Sequence, residues 1–243
     1  MFDTPLLKGT TAMILHCAVC AGLFPMPVSA DELSRHEEVV PIEQEPNHRL
    51  VLNRDALRVF DVSFVPGATS LWHRHDKDSV LLCIDGANMP AEEPGKPLQL
   101  RPPIQSGQIY YRGYAREPYV HRIRNADKTV FRILDIEVLS PPRPAGAPLA
   151  ALDSPWQVII DNDRVRVSRI ALAPRKGAAP VRFTGPRLFV AMTDGLYAIE
   201  GNAQPERRLV VRRGDLFAMD TAGTETLRNL AETGLELVVV EVK

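Results

Sequence analysis

The feature that most restricts how this chain can fold is that it carries one pattern twice. Arg124-Asn125-Ala126-Asp127-Lys128-Thr129, followed by Phe131, Ile133, Leu134 and Ile136, aligns without a gap on Arg228-Asn229-Leu230-Ala231-Glu232-Thr233, followed by Leu235, Leu237, Val238 and Val240. Five of these fifteen positions, counted to Val138 and Val242, are identical, where background composition gives about one. An earlier pair supports the same division: Asp55-Ala56-Leu57-Arg58-Val59 ending at Pro66, and Asp163-Arg164-Val165-Arg166-Val167 ending at Pro174. Each copy consists of short runs of Val, Ile, Leu and Phe between Gly and Pro breaks, and 21 prolines are spread along the chain. That pattern predicts an all-β protein of two tandem units. The stretch Pro141-Pro142-Arg143-Pro144, with Gly146 and Pro148 behind it, cannot sustain a sheet ladder, because proline has no N–H to donate. It sets the expected organisation: a first unit over 31–140, a linker over 141–152 and a second unit over 153–243.

Residues 1–30 read differently. Lys8 precedes an apolar stretch from Ala12 to Phe24, which ends in Pro25, Pro27 and Val28-Ser29-Ala30. This is the layout of a secretory signal peptide cleaved after Ala30, which places the mature chain in the periplasm or outside the cell. A buried N-terminal helix or a membrane anchor is the competing reading, although His16 interrupts the run and the run is short for a hydrocarbon core of about 30 Å. Cleavage removes Cys17 and Cys20 and leaves Cys83, inside the apolar run from Val80 to Ile84, as a core thiol. The balance of 29 basic and 30 acidic residues gives the chain no field that would attract nucleic acid or an anionic membrane. A small molecule is the expected partner, and the mature chain contains no membrane span.

The mature chain has five histidines, His36, His48, His73, His75 and His121, all in the first copy. Side chains at i and i+2 of a strand share a face, so His73-Arg74-His75 presents two imidazoles together and turns Arg74 away. The surroundings of this pair resemble the first motif of the cupin superfamily: Gly, five residues, His-x-His, a short spacer, Glu, six residues, Gly. Gly67, His73, His75 and Gly86 fall in register, and Ser79 stands where Glu is usual. Gly107 opens and His121-Arg122-Ile123-Arg124-Asn125 closes a second motif with the family spacing, although its middle departs, with Gly113 in the Pro position.

The resemblance implies two tandem jelly-roll (double-stranded β-helix) cupin barrels. In the first, His73, His75 and His121 would hold one divalent transition metal, Fe first, with Zn, Ni, Mn and Cu also suited. In the second copy Glu225 takes the third ligand position, and Val181, Phe183 or Gly185 face the first two, so that copy is expected to be structural or to mediate a homodimer. Three-His sites in the family support oxygen-dependent cleavage by Fe(II). The first functional reading is therefore a metal-dependent dioxygenase, lyase or isomerase acting on a small acidic or enolisable compound. A non-catalytic metal- or ligand-binding bicupin, and a structural bicupin without function, are the other two.

Tyr110, Tyr111, Arg112, Tyr114, Arg116, Glu117 and Tyr119 precede His121. Phenols and guanidiniums can anchor a carboxylate and supply a proton, which nominates Tyr111, Tyr114 and Arg116 as catalytic residues; a solvated exterior is the plainer reading of the same run. Ser79 is expected to face the cavity of His73 and His75, and Asp76 and Asp78 are the nearest carboxylates. The Pro- and Gly-rich loop from Ala87 to Pro103 is expected over the barrel mouth. Neutral imidazole ligands also predict that metal binding weakens as pH falls through about 6.5. If the leader is removed, N-terminal sequencing of protein from the native host starts at Asp31; a pool that begins at Met1 contradicts export.

Overall fold

The computed structural model describes residues 38–141, 155–201 and 204–243. The expected leader, His36 and nearly all of the expected linker lie outside these residues. The first copy supplies β1 (Val40–Pro41), a 3-10 turn (Ile42–Gln44), β2 (His48–Asn53), β3 (Leu57–Phe64), β4 (His73–His75), β5 (Ser79–Asp85), β6 (Ala91–Glu92), β7 (Ile109–Arg112), β8 (Tyr119–Ile123) and β9 (Phe131–Val138). The second supplies β10 (Trp156–Asp161), β11 (Val165–Leu172), β12 (Val181–Phe183), β13 (Arg187–Ala191), β14 (Gly195–Gly201), β15 (Gln204–Val211), β16 (Leu216–Met219), β17 (Gly223–Asn229) and β18 (Leu235–Val242). No helix among the described residues is long and apolar enough to cross a membrane.

Each copy forms a five-stranded and a four-stranded sheet. The five-stranded sheets run β2-β3-β9-β5-β7 and β10-β11-β18-β13-β16, the same order with equivalent strands. Their registers also agree: Ser79 pairs with Glu137 as Arg187 pairs with Glu241, and both edge strands carry a bulge at the same place. The four-stranded sheets run β1-β4-β8-β6 and β12-β17-β14-β15. Each pair of sheets encloses its own apolar cluster, around Phe60, Phe64 and Phe131 in the first copy and Phe183, Phe189 and Tyr197 in the second. These are the two jelly-roll barrels.

The outer faces of the two five-stranded sheets bury each other. Val80, Leu82, Leu134 and Ile136 of the first copy share one cluster with Val167, Leu188, Val190 and Val240 of the second. Both faces of β9 and β18 are therefore out of water, and their sequences read as near-continuous apolar runs instead of strict alternations. Polar contacts fix how the sheets sit on each other. Arg164 Nε donates to Asp78 Oδ2 (2.8 Å), Arg213 Nη1 to Asp85 Oδ1 (2.7 Å) and Arg169 Nη2 to the Gly107 carbonyl (2.7 Å).

The repeated Arg-Asn signature has a mechanical origin. Asn125 Nδ2 donates to the carbonyls of Phe64 and Thr129, and Asn229 Nδ2 to those of Leu172 and Thr233, so each buried amide ties the loop before the last strand to the end of another strand. Gly107 and Gly214 occupy equivalent turns with φ of 79° and 86°, where a side chain would be strained. Cys83 is buried as expected, and burial pushes its thiol up to about 12.

Arg164 and Asp78 are both buried between the sheets. Replacing one partner leaves the other charge without compensation, so Arg164→Met is expected to cost about 3–5 kcal/mol in urea unfolding. Adding Asp78→Ala should recover part of that loss. Equal and additive losses would mean that the pair does not hold the barrels together.

Candidate metal centre

His73 opposes His121 across β4 and β8, and His75 opposes Tyr119. Burial alternates along β4, with both histidines inside and Arg74 exposed. The rings of His73, His75 and His121 meet with centroids 4.4–5.1 Å apart, and all three line a cavity of about 700 Å³ inside the first barrel. A fourth imidazole joins them. His48, the first residue of β2, has its ring 4.8 Å from that of His73, and ring nitrogens of His48, His73 and His75 lie within 4.8 Å of one another.

The donor atoms are those a metal needs. His73 Nδ1 donates to the Leu71 carbonyl (2.9 Å), which leaves Nε2 as the lone-pair nitrogen, buried with no partner. His75 Nε2 and His121 Nε2 face each other at 3.1 Å. Two nitrogens in cis positions on one ion at about 2.0–2.1 Å sit about 2.9–3.4 Å apart, so this spacing suits a shared cation. The separations among His48, His73 and His75, up to 4.8 Å, exceed the diameter of a coordination sphere by under an ångström, within reach of small imidazole rotations.

Burial keeps two of the imidazoles neutral. Desolvation, with the neighbouring His48 adding to it, lowers His73 to about 4, and desolvation with His73 and His75 holds His121 well below the usual histidine range. Proton competition at these two nitrogens thus starts lower than the 6.5 expected from sequence. Asp135 on β9 lies beside the cluster, its Oδ2 3.3 Å from His75 Nδ1. Burial raises the Asp135 carboxyl, but the proximity and charge of His75 and the charge of His48 outweigh it and lower the group below the usual carboxylate range. Asp135 is the carboxylate beside the imidazoles, while Glu93 and Glu117 also line the cavity.

Ser79 falls on the inner face of β5 with Leu81, as expected, but stops short of the cavity. It is fully buried, but its hydroxyl donates to the Lys77 carbonyl (3.2 Å), and it opposes Glu137 on β9 and contributes nothing to the cavity wall. A Glu there would face Glu137 directly and Asp135 diagonally, so like charges stand against it. Asp76 is half exposed beside Lys77, and Asp78 is committed to Arg164.

Of the nominated catalytic residues, Tyr114 and Arg116 line the cavity; Tyr111 does not. Alternation along β7 turns Tyr110 and Arg112 inward and Tyr111 outward, where it packs on the cluster between the barrels and meets Asp78. The Tyr114 ring is 5.0 Å from that of His75 and parallel to that of Tyr119 at 5.9 Å, and burial holds its hydroxyl well above the usual phenol range. Arg101, Pro102 and Pro103 bring the long loop to the mouth, where Arg101 Nη2 donates to the Tyr119 hydroxyl (2.9 Å). Sequence reading missed His48 and Asp135. The signal for Asp135 was present: Asp135 and Glu137 are acids on the inner face of an otherwise apolar strand.

Glu225 pairs with Val181 across β12 and β17, and Phe183 with Gly223, so Glu225, Val181 and Phe183 stand where the first barrel has His121, His73 and His75. Arg187 and Glu225, both buried, form an ion pair there.

No family model and no curated protein matches the sequence. Solved structures do. AerE of Microcystis aeruginosa superposes with a TM-score of 0.57 at 10% identity, over 82% of this chain and 98% of that one. Salicylate 1,2-dioxygenase of Pseudaminobacter salicylatoxidans gives 0.55 at 13%, over 79% and 75%. Oxalate decarboxylase of Bacillus subtilis, described with Mn(II) centres, gives 0.52 at 10%, over 77% and 69%. Similarity at this level defines the fold, and the fold is that of the bicupins.

Because His73 and His121 stay neutral in the folded state while unfolded histidines take protons near 6.5, the stability they are linked to is present above 6.5 and is lost as pH falls toward 4. Thermal melts of chelator-treated protein should therefore show Tm falling across that window, and less steeply in the variant carrying His73→Leu and His121→Leu. Parallel curves for the two proteins would contradict burial of neutral imidazoles.

Proposed function

We propose that the protein is a metal-dependent cupin acting on a small acidic or enolisable compound, and that its chemistry is of the dioxygenase type. The observation that carries the reading is the orphaned, buried Nε2 of His73 among three further imidazoles at the wall of a cavity large enough for a small substrate. Salicylate 1,2-dioxygenase, a fold neighbour, acts on a small acid, which supports the substrate class. A divalent transition metal bound there would supply Lewis acidity toward a substrate oxygen and, as Fe, redox chemistry.

The chain's own residues account for the rest. Arg101, Arg112 and Arg116 stand at the wall among Glu93, Glu117 and Asp135, so the wall has no net positive charge, but a guanidinium there can anchor a substrate carboxylate. Tyr114 keeps its proton and can donate it in a hydrogen bond to a substrate oxygen beside His75. Val62, Leu81, Met89, Phe131 and Ile133 form an apolar part of the wall that excludes water and strengthens these contacts. Export through the N-terminal leader remains part of the proposal.

Anaerobically purified protein should contain about one divalent metal per chain and, with Fe(II), consume oxygen with some member of a panel of small carboxylic and enolisable acids. His75→Ala should abolish both. Two metals per chain, or unchanged occupancy in His75→Ala, would refute the site. Full occupancy with no oxygen uptake across the panel would favour a binding module.

A further inference from the structure

We propose that His48 is a metal ligand alongside His73, His75 and His121, and that Glu45 is the residue that positions it. The inference rests on the reading that the first barrel holds a metal, and extends it with a ligand from outside both histidine motifs.

His48 is buried at the start of β2, and its Nδ1 donates to Glu45 Oε2 at 2.6 Å. A carboxylate accepts only, so the proton sits on Nδ1 and Nε2 is left as the donor nitrogen. Glu45 is itself fixed. It is buried, and it accepts from the Asn47 backbone (2.8 Å), the Asn47 amide (3.0 Å) and the Leu71 N–H (3.3 Å). Leu71 then couples two ligands: its N–H binds Glu45, which orients His48, and its carbonyl accepts from His73 Nδ1. The backbone of one residue thereby sets the direction of two imidazoles. Nothing in packing alone requires a carboxylate and a histidine to be buried together here, since desolvation opposes both charged forms.

The second barrel provides an internal control. His48 pairs with Val62 as Trp156 pairs with Ile170, so Trp156 occupies the position of His48. The positions of His73, His75 and His121 hold Val181, Phe183 and Glu225. Asp135 is replaced by Val239, since Phe60 pairs with Asp135 as Ser168 pairs with Val239. The barrel without the His-x-His pair has also lost the fourth histidine and the acid beside it, while Asn229 retains the structural role of Asn125 and Glu241 the register position of Glu137. The five residues behave as one set. A site with four neutral nitrogen ligands leaves the ion's charge to Asp135, through His75, and to the substrate.

The test uses the full chain with Zn(II) as the probe and ¹⁵N-labelled histidine. Addition of one equivalent of Zn(II) should move the Nε2 resonance of His48, together with one ring nitrogen from each of His73, His75 and His121, to the metal-bound position. Glu45→Gln should weaken Zn(II) binding 10–100-fold in chelator competition. If the other three histidines shift and His48 does not, this inference is overturned and the metal reading stands. If none shifts, both fall. Unchanged Zn(II) affinity in Glu45→Gln would remove Glu45 from the positioning role.

Discussion

Four imidazoles packed into the interior of one small barrel are tolerable only while they stay neutral or share a cation, and much of the first barrel is arranged around that constraint. Two of the polar edges turned away from the cluster are hydrogen-bonded, His48 to Glu45 and His73 to the Leu71 carbonyl, and His75 lies 3.3 Å from Asp135. The nitrogens left over point at one another, at separations that leave room for an ion and little else. Desolvation keeps His73 and His121 from charging, so these two are preset in the protonation state that a metal requires.

The second barrel solves the same interior problem without imidazoles. Arg187 stands where the first barrel has Ser79, and Glu225 where it has His121, and the two form a buried ion pair further tied to the Gly185 and Thr221 carbonyls. Burial raises the Glu225 carboxyl and lowers the Arg187 guanidinium, each opposed by the attraction of the other. A pair of this kind fixes geometry more than it adds stability. With Val181, Phe183 and Trp156 filling the remaining positions, that barrel serves as a rigid partner, burying the outer face of the first barrel's five-stranded sheet. The sheet backed in this way carries His48 and Asp135, while His73, His75 and His121 stand on the four-stranded sheet that faces it.

Much of this was legible in the sequence, for physical reasons that can be named. The doubled Arg-Asn pattern survives because the asparagine amide ties the same loop to the same strand in both copies. The His-x-His pair is visible because the strand period is two. His48 was hidden because its partners arrive through β2, whose only contact with the motif strands is through space. Asp135 was masked because β9 is buried on both faces, which blurs the alternation that would have marked it as inward. The same alternation, one residue out of step, placed Tyr111 in the cavity that Tyr110 occupies. Ser79 sits at the position the family motif reserves for a ligand and falls on the inner face of β5 with Leu81, but its hydroxyl goes to the Lys77 carbonyl and it is not part of the cavity wall, so spacing found the face and not the role.

The central claim is that one barrel binds a metal and the other does not. Anomalous diffraction from crystals of the full chain grown with Co(II) tests it most directly. The account predicts one strong peak per chain, lying among the ring nitrogens of His73, His75 and His121, and none within the second barrel. A peak beside Glu225, or no peak in the first barrel at full Co(II) loading, would contradict it.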